Sequence, residues 1–500
     1  MVALLVIAHT GNGRAGGPLG TSGAPIGTSQ YALDLFHGPV FAGSRVTGLG
    51  GAYVAISEDV DGDLQNPAAP AVRPFFSYEH FDYWLGFGLT FPADLEHMDF
   101  FNSGSDTKLA NPPSSFVFFT PAANLQWGEL GVGLTVEMQQ YALTSGNDSP
   151  TPAINVTIPT THLQFGYGFG HNQLVVGAGA RFLSMAVHRE AEPRTPFKSS
   201  DTGLEFGAVY KPEGQPFRLG LAYRSAIRTE ARYTDGLLPD ANGDLVVVGS
   251  DGVPLYLPKA VALPWDVNAG LAVQFGRRPF NPAWRTRSEL IEEEVLKHAL
   301  RELQRKRRSE DAVRAATTEQ ERKEREAAFE CEQREDDREL ERKLTDARRR
   351  IERDLAKLNG FYLLVSASVL VSGPVNDALG VESLVTQTVK RSGLSTVVSP
   401  RIGLESEVVP AILRLRAGSY LEPARFEEST SRVHFTAGFD IRLIRWNVFG
   451  AWPDDYVWRL GVGGDAAHRY TTWGLTLAGW YPRHREDEED HRPLTAPSGQ

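Results

Sequence analysis

The chain has a single cysteine, Cys331, among 500 residues, which excludes an intrachain disulfide and a cysteine-built metal centre. It has no run of about 18 apolar residues, so no segment reads as a transmembrane helix. Excess positive charge is also missing: 51 Lys and Arg face 62 Asp and Glu, a net charge of −11, which argues against a nucleic-acid partner. The patterns His-Glu-x-x-His, Gly-x-Ser-x-Gly, P-loop and Cys-x-x-Cys do not occur, and the 12 histidines are scattered. Spacing therefore offers no catalytic residue, no metal ligand set and no cofactor site, and the chain does not read as an enzyme. The one fingerprint match, Gly11-x-Gly13-x-x-Gly16, is followed by Gly17-Pro18 and cannot open the helix that a dinucleotide site requires. A multi-domain soluble protein or one large β-barrel remains, and a barrel gives only a weak hydropathy signal per strand.

Period-two alternation dominates what is present. Leu130, Val132, Leu134, Val136 and Met138 share one face, opposite Gly131, Gly133, Thr135, Glu137 and Gln139. Residues 163–169, 267–275 and 433–441 repeat the pattern, each an amphipathic strand. A soluble sandwich would show the same alternation. The strands are long, however, often ten residues or more against about five or six in soluble sheets. Aromatics fall near strand ends (Trp84, Trp127, Tyr210, Tyr223, Trp265, Trp446, Trp458, Trp473 and Tyr481), as in a membrane girdle. The opposite face is glycine plus charge, which suits a wet lumen around a plug.

Fourteen strands can be placed, near 75–91, 114–121, 128–141, 160–170, 173–189, 200–211, 216–232, 264–276, 360–373, 396–408, 411–421, 432–446, 454–463 and 470–481. The expected fold is all-β, an antiparallel transmembrane barrel of about fourteen strands. Connections alternate long and short, which puts the short turns and both termini on the periplasmic side and the first long loop outside. Residues 285–358 break the rhythm. They contain no Gly, Pro or Asn and are dense in Glu, Arg, Lys and Ala. Thr286-x-x-Glu289 and Thr318-x-x-Glu321 are capping boxes, predicting helices near 287–316 and 319–358 folded back as a hairpin. Leu340, Leu344, Ala347, Ile351, Leu355 and Leu358 form a coiled-coil seam. The stripe Leu296, Leu300 and Leu303 is expected to pack against Leu344, Ile351 and Leu355. By strand parity the hairpin projects into the periplasm, where its charged tip is free for a protein partner.

The most distinctive stretch is Ala42 to Ala69. A glycine elbow at Gly48, Gly50 and Gly51 leads into an apolar run, an acidic turn through Asp59, and the break Asn66-Pro67-Ala68. Arg45-x-x-Gly48-Leu49-Gly50-Gly51-Ala52-Tyr53-Val54-Ala55, the acidic pair Glu58-Asp59 and the later Asn66-Pro67-Ala68 resemble the N-terminal plug of the long-chain fatty-acid transporter family of outer-membrane barrels. They equally resemble that family's relatives, including the barrel subunit of type IX secretion. The likeness resumes at Leu413 to Tyr420 with Glu422-Pro423. It implies a fourteen-stranded barrel in the outer membrane of a Gram-negative bacterium, a plug that shifts to open a path, and uptake of a hydrophobic small molecule without cofactor. The alternative is a scaffold or secretion-associated barrel that binds periplasmic or secreted proteins.

The expected divisions are a signal segment at 1–15 (without a basic n-region), a plug at 16–73, barrel strands at 74–284 and 359–481, the helical insert at 285–358 and a polar tail at 482–500. The predicted lumen carries Arg181, Arg218, Arg401, Arg414, Arg416 and Arg442, candidates for holding the plug or a ligand carboxylate. It also carries Glu137, Glu205, Arg224, Glu405, His434, Asp440 and Arg459. Asp240-x-Asn242-x-Asp244 with Asp251 imitates a calcium loop, but Leu245 stands where glycine is needed, and Asn242-Gly243 reads as a hairpin turn. Asp59, Asp61 and Asp63 are a poorer mimic, expected to face water or lumen cations.

Overall fold

The computed structural model describes residues 19–480 except 76, 78, 93–98, 105–115, 144–153, 190–196, 234–239, 249–253, 316, 357–360, 428 and 446–456. The signal segment, the polar tail, Trp446, Tyr481, Asp251 and Leu358 lie outside the described residues.

Fourteen antiparallel strands form the wall. They are β1 Phe81–Pro92, β2 Phe116–Trp127, β3 Leu130–Leu143, β4 Ile154–Phe169, β5 Leu174–Arg189, β6 Phe197–Tyr210 and β7 Phe217–Arg224. The second half is β8 Asp266–Gly276, β9 Tyr362–Ser372, β10 Val397–Val409, β11 Leu413–Glu422, β12 Arg432–Arg445, β13 Val457–Ala467 and β14 Tyr470–Trp480. Each pairs with its sequence neighbours, and β1 pairs with β14, so the sheet closes and leaves no edge. The chain is a fourteen-stranded transmembrane β-barrel. Its outward face is apolar: Leu125, Trp127, Phe165, Tyr167, Leu221 and Phe435 are all exposed. No helix among the described residues is long and apolar enough to cross a membrane.

Several strand limits differ from expectation. β2 continues to Trp127, through residues expected as a turn. Pro121 is accommodated inside the strand because its missing N–H falls where the ladder to β3 is interrupted, between the pairs Phe119–Met138 and Ala122–Thr135. The turn is Gly128-Glu129, with Gly128 at φ +57°. β4 begins at Ile154 rather than 160, and β13 runs to Ala467. β7 leaves the wall at Arg224. Ile227–Glu230, expected as its continuation, pairs instead with Ala260–Leu263 in a small inner sheet. In that sheet Ala32–Asp34 runs parallel to Ala260–Leu263 on one side and to Ala378–Gly380 on the other, and Arg391–Ser392 adds antiparallel to Ala378–Gly380. Alternation runs on through the break, so periodicity alone cannot tell wall from inner sheet. Of the expected girdle, Trp127, Tyr210, Tyr223 and Trp473 are exposed, whereas Trp84 and Trp458 are buried. Trp84 shares the lumen-facing register of Gly86 and Gly88.

The insert is two helices, α1 Arg287–Arg314 and α2 Glu319–Ala356. Both ends of the Thr286–Glu289 capping box are made. At the second helix only half the expected box forms: Thr318 accepts from the Glu321 N–H, while the Glu321 carboxylate takes the N–H and hydroxyl of Thr317. The expected leucine contact is corrected by the structure. Leu296, Leu300 and Leu303 are more than half exposed, and Leu344 is only half-buried. Charged pairs occupy the seam instead: His298–Asp337 at 3.1 Å, Arg301–Glu339 at 3.2 Å, Arg308–Glu332 at 3.0 Å and Arg305–Asp336, with Arg305 buried. Turning the arginines and carboxylates inward turns the leucine stripe out. The side chains of Ile351 and Leu355 lie outside the described residues.

Candidate functional site: an occupied lumen

Residues 42–73 fill the barrel, running from the inner sheet at the long-loop end to β1 at the short-turn end. Val46, Leu49, Tyr53, Val54, Ala55, Ile56, Ala68 and Ala69 are fully buried against the wall. The glycine face is what admits them. A Cβ at Gly177 would stand 2.2 Å from the Pro67 carbonyl oxygen, one at Gly131 2.2 Å from that of Pro70, and one at Gly220 2.1 Å from that of Val54.

The candidate residues of the segment fall at these contacts. A Cβ on Gly48 would sit 3.4 Å from the Gly438 Cα. Gly50 (φ +61°) approaches the Ser419 backbone, and Gly51 (φ +74°) lies beside Arg401. Asn66 donates to the carbonyls of Val54 (2.9 Å) and Ala208 (3.1 Å) and accepts from the Ala68 N–H (3.0 Å). Pro67 lies against Gly207, and Ala68 packs with Val175 and Val209.

Charge ties the segment to the wall. Arg45 meets Glu405 at 2.9 Å and Glu58 at 3.4 Å. Glu405 also holds Arg416 (2.6 Å), which holds Asp440 (2.8 Å), which holds Arg459 (2.7 Å), which returns to Asp61 of the segment. Asp63 accepts from Asn124 and Thr135, both at 2.9 Å. Gln126 donates to the carbonyls of Pro70 and Val72. Burial opposes ionisation of Glu58, yet Arg218 and Arg45 hold its carboxyl down at about 2. Burial and then the neighbouring Asp61 push Asp59 up to about 7. Burial also pushes the Asp63 carboxyl well above the usual range.

The short-turn mouth is closed by the linker that leads to α1. Arg218 bridges segment and linker: it donates to Glu58 (2.8 Å), the Ile56 carbonyl (3.1 Å), Asn281 (2.7 Å) and the Phe280 carbonyl (2.7 Å), and stacks over the Phe280 ring. Arg73, at the segment's end, donates to the Gly128 carbonyl and to Asp82 and lies 4.5 Å from the Trp284 ring. Two buried histidines brace the wall, each between two carboxylates: His162 between Glu205 and Glu137, His434 between Asp465 and Glu422.

The other candidate arginines divide. Arg414 lies 3.6 Å from Glu407 and over Trp480, and Arg181 donates to the Ser225 carbonyl (2.6 Å) with Asp266 at 3.8 Å. Arg442 donates to the Ala411 carbonyl at the short-turn rim (3.3 Å), and Arg401 donates to the Ser399 hydroxyl (3.4 Å). The calcium mimic is committed to turns. Asp240 accepts from the N–H groups of Asn242 and Asp244, and Asp244 accepts from Ser29 and Thr28. The Asn242-Gly243 turn precedes the small hairpin of Val246–Val248 with Pro254–Tyr256 rather than closing it. Sequence reasoning missed Asn124, Gln126, Phe280 and Asn281. None stands at a diagnostic spacing, and alternation could have flagged only the inward positions of Asn124 and Gln126.

Fold and site together define a transmembrane β-barrel whose lumen is occupied by its own N-terminal segment. No family model matches the sequence, and no curated protein matches it. Among solved structures the chain is similar to the Pseudomonas putida toluene transporter TodX (12% identity, 90% of this chain and 100% of that one, TM-score 0.45). It is also similar to the monoaromatic hydrocarbon channel CymD (11%, 89% and 97%, 0.43). A Pseudomonas aeruginosa FadL homologue gives 11% identity over 92% of this chain and 99% of that one, with a TM-score of 0.42.

Proposed function

We propose that the protein is an outer-membrane channel for uptake of hydrophobic small molecules, long-chain fatty acids or similar, with residues 16–73 as a displaceable plug. The observation that carries this reading is that residues 42–73 occupy the lumen and meet the wall through side-chain hydrogen bonds, ion pairs and packing, while residues 32–34 are anchored by backbone hydrogen bonds in the inner sheet, so shifting 42–73 opens a path while the wall ladder stays closed. The plug-motif resemblance at Arg45 to Ala68 supports it. The apolar wall sits among outer-membrane lipids, and the short turns and the helical hairpin face the periplasm. Affinity for an apolar ligand comes from buried area, at about 25 cal/mol per Å². Uptake of labelled fatty acid and labelled toluene by a deletion strain, with and without the gene restored, tests it. Equal uptake of both compounds in the two strains contradicts it.

A second reading, a scaffold binding periplasmic or secreted proteins, is favoured by one observation: the leucine stripe of α1 faces outward. Pull-down with the intact protein and with a Leu296→Asp, Leu300→Asp variant tests it. Recovery of the same partners with both sinks it.

A further inference from the structure

Helix α1 has two rows of residues at heptad spacing, and α2 takes one of them. His298, Arg301, Arg305 and Arg308 face α2 and meet Asp337, Glu339, Asp336 and Glu332. Leu296, Leu300 and Leu303 stand on the opposite side by the period of an α-helix, each more than half exposed. A helix that needed only to be solvated would carry polar residues there. Leucines in one such row are the seam of a coiled coil without its second strand.

The residues that extend the row carry opposite charges at its two ends. Glu289 lies one heptad before Leu296, and Arg307 one heptad after Leu300. Beside the row, on one flank, Glu292 stands near the start and Lys306 near the end. All four are exposed, and Glu292, Lys306 and Arg307 form no ion pair among the described residues. A stripe that is acidic at one end, leucine in the middle and basic at the other is complementary to itself when turned end for end. With Leu296 of one copy against Leu300 of a second copy, Glu289 falls opposite Arg307 of the second copy and Glu292 beside its Lys306. Two-fold symmetry repeats both contacts. A parallel pairing in register would set Glu289 against Glu289 and Arg307 against Arg307, which repel.

We infer that α1 is a self-association surface: two copies of the chain pair antiparallel along the row of Leu296, Leu300 and Leu303, with Glu292 of each beside Lys306 of the other. The surface lies outside the barrel, so the inference goes beyond the channel reading and does not depend on it. It gives the leucine row to a second copy of this chain rather than to a different protein. Two barrels in one membrane are related by an axis along its normal, so antiparallel arms lie across that axis, along the membrane surface.

The test uses the full chain in a non-ionic detergent at low salt, with the protein mass read by sedimentation equilibrium at matched detergent density. Native mobility before boiling and helix content by circular dichroism confirm that the barrel and the hairpin of each variant are folded. Wild type is expected as a dimer, at twice the mass of one chain. Leu300→Asp, which puts a carboxylate into the centre of the seam twice, should weaken dimerisation by roughly a hundredfold or more. Glu292→Lys and Lys306→Glu should each weaken it by roughly threefold to thirtyfold, because each sets like charges side by side twice. The double variant restores both pairs with the signs exchanged and should return to within about twofold of wild type. The charge variants carry the test if Leu300→Asp loses helix. Wild type at the mass of one chain, or a dimer undisturbed by Leu300→Asp, overturns the inference and leaves the channel reading intact. A double variant weaker than either single overturns the antiparallel pairing and the inference with it.

Discussion

Asp59 is a segment residue whose charge depends on ordinary pH. Its carboxyl sits at about 7, against 3.8 for an unperturbed aspartate, because burial and Asp61 disfavour the anion. The folded arrangement therefore holds a proton that the released segment loses. Its stabilisation is complete below the unfolded value, declines as pH rises, and is gone above about 7. Glu58 shifts the other way, and its contribution is lost only as pH falls from 4.5 through about 2, outside this window. Hydrogen exchange of residues 57–66, corrected for intrinsic rates, should show more opening at pH 8 than at pH 5.5, and Asp59→Asn should reduce the difference, with Asp63, raised in the same direction, accounting for what remains. Equal pH dependence in wild type and variant would sink this account. Packing makes a second prediction at the same scale. Gly220→Val places a side chain where the Val54 carbonyl oxygen would be 2.1 Å away. It should cost roughly 1–3 kcal/mol and free the segment to proteases without unfolding the wall. Wild-type protease resistance would contradict it.

At the scale of elements, Arg218 joins the lumen segment to the linker that enters the hairpin. Arg218→Ala leaves the half-buried Glu58 with Arg45 and, further off, Arg278, and releases Phe280 and Asn281. A loss of about 3–5 kcal/mol from breaking a buried pair should appear as exposure of both 54–60 and 278–284 to exchange. Exposure of one without the other would show that they are not coupled. Deleting 287–357 with a short closing turn should leave the barrel's heat-modifiable mobility intact, because the helices pair with each other. The helices themselves were legible in the sequence through the missing Gly, Pro and Asn and the Thr286 cap. Which face each turns inward was not, because Arg305 with Asp336 and Leu300 with Leu344 are both plausible seams at the same spacing. The wall strands were legible for the same reason, as a period. Their ends were lost where β2 ran on through 122–127, expected as a turn, and where Ile227–Glu230 kept the alternation of β7 after leaving the wall.

At the scale of the molecule, a closed wall surrounds a segment that the same chain supplies. The motif at Gly48 to Ala68 marked that segment in the sequence, but its ties could not be seen there. Arg459 and Asp61 are 398 residues apart, and no spacing rule links them. The central claim is that this segment moves during uptake, and a reversible lock tests it most directly. Cysteines replacing Gly48 and Gly438, in a chain also carrying Cys331→Ser, fall where built Cβ atoms approach the facing Cα to 3.4 and 3.5 Å, close enough for a disulfide. Labelled fatty-acid uptake by cells should fall to the deletion-strain level when the pair is oxidised and return on reduction. Undiminished uptake with the disulfide fully formed would contradict the account.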